Sequence, residues 1–345
     1  MSLLSGISDF FGIDIGATAI RLVQLQGSYP KTLVKYAYVP IDPKISLSDS
    51  AVDQQKVASM ILDLCSQAKM TTKNVVVGLP SKRLFTTVVD IDKVSSKELE
   101  KTIIFQADSL IPTPVNESKI DWALLGDSPK DPSKIEILLS SVSNKYIESR
   151  LDSLESIGLN VIAFEPENLA IVRALIKPGT TSSIMVLDVG SLGTDLVITS
   201  EDYPRLTRSI AIGTQSIIKS AAQNLNIDDN QAHQFIFKFG MDPSKLDGQL
   251  SKAIQSTLDS LYVEIDKSIK FFEGRHSGKK LEKIIITGGA SLIPNFAASL
   301  AQRLNINVEI GNAWYNVTFP ASQQAELMAV ANQFGVAVGL AGRTE

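Results

Sequence analysis

Two aspartates, Asp14 and Asp188, each close an apolar run just before a glycine turn: Gly12-Ile13-Asp14-Ile15-Gly16-Ala17-Thr18 and Leu187-Asp188-Val189-Gly190-Ser191-Leu192-Gly193-Thr194. A hairpin turn of small residues can wrap backbone N–H groups around a phosphate, because glycine tolerates positive φ and brings no Cβ into the way. Two such hairpins can grip one polyphosphate from opposite sides. The carboxylate at each strand end is then placed to hold a hydrated Mg2+, whose preferred ligands are oxygen and water. Gly16, Ala17 and Thr18 in one turn, and Gly190, Ser191, Gly193 and Thr194 in the other, are the candidate contacts. Thr18 and Thr194 add hydroxyls, and Arg21 neutralises phosphate charge. Taken singly, each Asp-x-Gly reads as an ordinary exit from a strand, and the weight lies in the pairing.

A third glycine turn, Gly288-Gly289, follows the apolar run Lys283–Thr287, with Ala290 and Ser291 expected to open toward the next helix. Backbone without side chains there lets a base and sugar lie close. Glu264 and Lys267 fall at i and i+3 of a helix, so both project from one face. The carboxylate can accept from ribose hydroxyls while the lysine stem covers a purine; judged alone, the pair reads as a solvated ion pair. Glu165 and Glu167, at the expected head of a helix, are candidates to activate water as a general base. The plainer account is that acidic residues in a first turn suit the helix dipole.

The elements around these residues decide the class of phosphate site. Residues 10–40 alternate as a β-meander, so a strand follows the first glycine turn. P-loop and Rossmann sites place a helix there. A helix is expected over 51–70 and a buried strand from Lys73 to Leu79, closed by Pro80. Residues 92–163 read as a closed helix–strand–strand–helix–strand module inserted into the first lobe. A helix then runs from Glu165 to about Ile176, residues 183–213 repeat the opening meander, and residues 214–280 are mostly helical. The Gly288 turn leads into a helix from about Pro294 to Leu304, and a final Ala/Gly-rich helix covers about 322–341.

At 345 residues the chain exceeds one simple core and suits two or more lobes. A net charge of −4 without a clustered basic face argues against nucleic acid. One cysteine, Cys65, and two separated histidines, His233 and His276, leave no material for disulfides, a zinc site or a serine–histidine triad. No apolar run is long enough to span a bilayer, and the start Met1–Phe11 lacks the basic region of a signal peptide. A cytoplasmic location is the expectation, with the membrane reached only indirectly.

The order of motifs, from the Asp14 hairpin through the connecting helix, the Asp188 hairpin, the Gly288 turn and the terminal helix, resembles the actin-like ATPase superfamily. Within it the chain resembles the PilM family of type IV pilus assembly. The more specific matches are Val75-Val76-Val77-Gly78-Leu79-Pro80, Glu98-Leu99-Glu100-Lys101, Phe105-Gln106-Ala107-Asp108-Ser109-Leu110-Ile111-Pro112, Gly158-Leu159-Asn160, Glu167-Asn168-Leu169-Ala170 with Arg173-Ala174, and Glu264–Phe272. The resemblance implies an α/β protein of the actin-like ATPase fold: two ribonuclease-H-like lobes with an inserted FtsA-type small subdomain. The first lobe would comprise 1–91, 164–182 and 322–345, the inserted subdomain 92–163, and the second lobe 183–321 with a helical part over about 214–280.

It further implies ATP and Mg2+ as ligands, and the short cytoplasmic tail of PilN, an inner-membrane protein, as partner. That tail would dock between the first lobe and the module, where Leu79, Pro80, Phe105 and Ile111 are candidates to line a groove; plain core is the competing reading for them. Pilus motor ATPases are a further implied partner. Arg21 stands where the family carries lysine, Gln106 where glutamate is common, Gly213 alone where a Gly-Gly is expected, and Leu192 is bulky for a phosphate turn. These departures point to ATP binding with weak or no hydrolysis. An FtsA-like division protein would carry a basic amphipathic tail, whereas this chain ends Ala341-Gly342-Arg343-Thr344-Glu345. A sugar kinase would need a catalytic aspartate in a sugar-binding loop, and a nucleotide-free adaptor stays open.

Overall fold

The computed structural model describes residues 9–344, apart from the side chain of Ser96. The leader segment 1–8 and Glu345, both weighed in the sequence, lie outside the described residues. The elements run β1 (Phe11–Ile15), β2 (Ala19–Gln26), β3 (Lys31–Pro40), α1 (Pro43–Ser46), α2 (Ala51–Ala68), β4 (Asn74–Leu79), β5 (Leu84–Asp92), α3 (Ser96–Leu110), β6 (Ser118–Asp127), β7 (Lys134–Ser143), α4 (Asn144–Glu155), β8 (Asn160–Pro166) and α5 (Glu167–Leu175). They continue as β9 (Ser183–Val189), β10 (Thr194–Ser200), β11 (Tyr203–Ile210), α6 (Thr214–Leu225), α7 (Asp229–Phe239), α8 (Gln249–Arg275), β12 (Leu281–Thr287), α9 (Phe296–Leu304), β13 (Asn307–Ile310), β14 (Val317–Thr318), α10 (Gln324–Val330) and α11 (Gly335–Ala341).

Two compact units divide the chain. One runs to Pro178 and resumes at Ala313, and the other spans Gly179–Asn312. The first holds a six-stranded sheet in the order β14-β3-β2-β1-β4-β8. β1–β3 are antiparallel neighbours, while β4 and β8 run parallel to β1. The second holds β11-β10-β9-β12-β13, again an antiparallel meander extended by two parallel strands. The same strand logic is thus used twice, as the paired Asp–Gly hairpins suggest.

The first core is built from Phe11, Ile13, Ile20 and Leu22 of the hairpin with Val57 and Ile61 of α2. Ser50 caps α2 by accepting the N–H of Asp53, and Lys69 ends it in a left-handed conformation. α11 crosses β1 so closely that a Cβ on Gly12 would lie 2.6 Å from the Ala337 carbonyl oxygen, and a Cβ on Gly339 would overlap the backbone of Ala170 in α5. That contact explains the Ala/Gly composition of the last helix. Trp314 and Phe334 stack on Tyr36 and tie the returning segment to the meander.

A three-stranded sheet, β5-β7-β6, carries α3 on one face over Ile91, Ile103, Ala107, Ile137 and Leu139. Its membership differs from the module read in the sequence over 92–163. β5 belongs to it, whereas β8 pairs in parallel with β4, Asn74 opposite Asn160. The reason is burial: Val161 and Phe164 pack against the first core with Leu154 and Leu159. The expected final helix is two short helices, α10 and α11, separated by a turn at Ala331–Gln333. Among the described residues no helix is long and apolar enough to cross a membrane.

Candidate functional site

In the first unit the antiparallel register sets Asp14 opposite Arg21, and Arg21 Nη1 donates to Asp14 Oδ2 at 3.1 Å. Asp14 is 4% exposed. Burial pushes its carboxyl above the usual aspartate range, opposed by the charge and hydrogen bond of Arg21. In the turn, Gly16 N–H donates to the Ala19 carbonyl at 3.0 Å, the Ala17 carbonyl accepts Ser46 Oγ at 2.8 Å, and the Thr18 carbonyl accepts Ile41 N–H at 3.0 Å. The carbonyls of the turn are therefore drawn back into the fold. A Cβ on Gly16 would lie 3.2 Å from Arg21 Nη1, so glycine keeps the guanidinium's path clear. Arg21 Nε is buried with no acceptor among the described residues.

Glu165 and Glu167 part company. β8 runs through Pro166, so Glu165 is a strand residue rather than the head of a helix, and it is buried opposite Gly78. Both its oxygens accept from Arg173, Arg343 Nη1 adds a third contact at 3.3 Å, and Arg173 also donates to the Gly339 carbonyl at 2.8 Å. A carboxylate committed to two guanidiniums fastens α5 to the C-terminal segment and is a poor base, which corrects the expectation for Glu165. Glu167 opens α5, half-buried. A Cβ on Gly78 would lie 3.3 Å from its Oε1. Gly78 follows Val77, which pairs with Ile13, so Glu167 lies at the same strand ends as Asp14. The neighbouring Asn168 is buried with its Oδ1 unsatisfied, a polar residue that the sequence marked merely as helix start.

In the second unit, α6 is bolted to the β9–β10 turn. Thr214 N–H donates to the Gly190 carbonyl and Gln215 N–H to the Ser191 carbonyl, both at 2.9 Å. Gly213 caps the helix where a Cβ would come within 2.5–2.7 Å of Gly193 N, Ser191 O and Gly190 O. Gly288 takes φ of 78°, and a Cβ there would strike the Asp188 carboxylate and the Val189 carbonyl. A Cβ on Gly289 would rest 3.5 Å from Thr214 Cγ2. Asp188, the 190–193 turn, Gly213 and Gly288-Gly289 thus converge on one glycine-lined corner at the C-terminal ends of parallel β9 and β12.

Asp195 was missed in the sequence. The hairpin register puts it opposite Asp188, and it accepts a hydrogen bond from Ser209. Its signal was the antiparallel pairing itself, since a hairpin of this turn length brings the two carboxylates side by side.

Three sequence expectations are corrected here. Thr194 is 1% exposed and its hydroxyl donates to the Ile212 carbonyl at 2.6 Å, so it braces the turn instead of offering a ligand contact. Ala290 is a core residue packed with Ile286 and Phe296. Ser291 is buried, with its hydroxyl on the Gly288 carbonyl at 2.6 Å, so neither opens toward α9. Glu264 is held by Lys267 at 2.6 Å and also by Arg208, which the sequence did not single out. The hydrogen bond from Lys267, with Arg208 nearby, keeps the Glu264 carboxyl below its ordinary range. Of the residues named for a partner groove, Leu79 and Ile111 are core, Pro80 is half-buried and Phe105 is 83% exposed.

The family model of type IV pilus assembly protein PilM matches residues 12–345. The chain belongs to this family. A solved structure described as the PilM-PilN type IV pilus biogenesis complex superposes with a TM-score of 0.82 at 24% identity, covering 97% of this chain and 98% of that one. The ethanolamine utilization protein EutJ from Carboxydothermus hydrogenoformans superposes at 0.57 with 12% identity over 96% of this chain and 88% of its own. MreB5 of Spiroplasma citri bound to ADP superposes at 0.55 with 11% identity over 96% and 95%. These likenesses establish an actin-like fold for this PilM-family chain.

Among the described residues no three His, Cys, Asp or Glu side chains are grouped to enclose a metal ion. That fits Mg2+ held largely through water, which needs one or two carboxylates, and fits less well a cation stripped of its shell. For the triphosphate, the unsatisfied Arg21 Nε and the corner that admits no Cβ at Gly213 or Gly288 suit an anion lying against backbone.

Proposed function

We propose that this PilM-family chain is an ATP-binding scaffold of the type IV pilus inner-membrane assembly platform, which takes the cytoplasmic tail of a PilN-like membrane protein in a nucleotide-sensitive manner. The observation that carries the nucleotide half is the fused corner of the second unit, where the 190–193 turn, the first turn of α6 and Gly288 crowd around Asp188 with no room for a side chain. Asp188 and Asp14 would hold the hydrated cation, Gly16, Ala17, Thr18, Gly190, Ser191 and Gly193 would supply backbone to the phosphates, and Arg21 would offset their charge. Gly288, Gly289 and the Glu264–Lys267 pair would take the base and sugar. Mg2+ supplies neutralisation of the phosphate oxygens when bound.

Hydrolysis, where it occurs, falls to Glu167. The half-buried carboxylate can take a proton from water, beside Asn168, which can accept a hydrogen bond from that water. With Glu165 consumed by arginines, one base remains, in keeping with slow turnover.

The partner half is supported by the similarity to a solved PilM-PilN complex and by membership of the pilus assembly family. Attachment to the inner face of the membrane would then come through the partner. Pilus motor ATPases are a second candidate partner. The test is the affinity of a synthetic PilN-tail peptide with and without Mg-ATP. A several-fold change supports the reading, and equal affinities remove nucleotide control.

A further inference from the structure

The chain crosses twice between the six-stranded and three-stranded sheets of the first unit. It leaves through Ser81–Arg83 and returns through Asn144–Arg150 at the head of α4. Arg150 sits on this return, 6% exposed. Among the described residues its guanidinium meets no carboxylate or carbonyl. What it faces is the ring of Tyr146, one helical turn earlier, at 5.6 Å. Arg83 lies over the same ring at 5.4 Å but is already neutralised by Asp49 at 2.8 Å and bound to the Leu47 carbonyl. One positive charge is therefore left over in a largely dehydrated place, where an unpaired ion is costly.

The same end of the small sheet holds further unsatisfied groups. Leu84 pairs with Val142 and Ser118 with Ser143, so Ser81, Ser118 and Asn144 all stand at that end. Ser81 Oγ, Ser118 Oγ and Asn144 Oδ1 are buried without partners among the described residues. The Asn144 amide nitrogen is used on the Asn116 carbonyl at 3.1 Å, which fixes its oxygen as an open acceptor. A folded chain seldom leaves four such groups at one place unless a ligand completes them.

We infer that this crossing is a recognition site for an extended acidic peptide, in which Arg150 pairs with one side-chain carboxylate, Asn144 Oδ1 accepts a main-chain N–H, and the Ser81 and Ser118 hydroxyls bond flanking polar groups. Charge decides the occupant: Asp49 already answers Arg83, so a single carboxylate balances the site. The inference rests on the reading that a PilN-like tail is the partner and assigns the chemistry that selects it. Guanidinium–carboxylate pairing shielded by an aromatic ring is among the stronger polar contacts available to a short peptide.

Fluorescence anisotropy with a labelled synthetic PilN-tail peptide tests it, with each acidic residue of the peptide changed in turn to its amide. One such change is expected to lower affinity for the unaltered protein at least tenfold. Arg150→Gln should lose a similar factor toward the parent peptide and become indifferent to the same amide change. If no amide change matters, or Arg150→Gln stays as sensitive to it as the unaltered protein, the assignment is overturned while the tail remains the partner. A tail that fails to bind the unaltered protein overturns the partner reading as well. The peptide arm leaves the protein untouched, so it decides the matter even if Arg150→Gln does not fold; Asn144→Leu, expected to weaken the tail severalfold, gives a second protein arm.

Discussion

The backbone N–H of Thr214 donates to the carbonyl of Gly190 at 2.9 Å, so the first turn of α6 and the turn between β9 and β10 form one rigid piece. The glycine between them is dictated by backbone atoms that cannot move aside. Gly213→Ala is therefore expected to cost about 1–3 kcal/mol as overpacking. Gly289→Ala, whose methyl would make ordinary van der Waals contact with Thr214, should cost less than about 0.5 kcal/mol. Urea titration of the two variants checks the contrast.

Asp14 gives a pH-dependent trade between stability and binding. Burial raises its folded-state pKa above the model value of 3.8, so the folded form binds more protons than the unfolded one, and its ionisation works against folding as pH rises through that interval. Asp14→Asn, which can still accept from Arg21, is expected to melt higher than the parent at pH 7. The difference should shrink as pH falls toward 3.8, where both forms are neutral. Melting curves across pH 4–8 test this; an equal or lower melting temperature for Asp14→Asn at pH 7 contradicts it.

The two glutamates should separate cleanly. Glu165→Gln leaves Arg173 and Arg343 without their carboxylate and is expected to destabilise by about 2 kcal/mol, a buried-pair cost discounted because both arginines are partly exposed. Glu167→Gln should unfold nearer the parent midpoint while lowering any ATP turnover at least tenfold. Paired denaturation and phosphate-release assays distinguish the roles.

Much of the fold was legible because the two hairpins repeat a pattern whose period and turn chemistry are local. Ile13, Ile20 and Leu22 alternate visibly, and Asp14 and Asp188 mark both strand ends. What stayed hidden was set by pairing between distant segments. Nothing near residue 160 says that β8 will choose β4 over the small sheet, and Glu165 looks like a helix-opening acid until Arg173 and Arg343 close on it. Asp195 is ordinary in sequence and becomes notable once the register places it across from Asp188. Thr194, Ala290 and Ser291 failed as ligand contacts for one reason: a turn tight enough to cradle a phosphate uses its own side chains to hold itself.

Phe105 offers a separation of stability from docking. It is 83% exposed on α3, so Phe105→Ser should leave stability within about 0.5 kcal/mol, whereas Ile111→Ala, in the small core, should cost about 2–5 kcal/mol. If the tail also touches α3, Phe105→Ser weakens peptide binding without a change in melting temperature.

The most direct test of nucleotide binding through the two aspartates is isothermal titration of Mg-ATP into the parent protein, Asp14→Ala and Asp188→Ala, each shown to be folded by circular dichroism. Saturable binding to the parent and at least tenfold weaker binding to both variants is the predicted result. Equal affinity in all three, or no heat of binding to the parent, would contradict it.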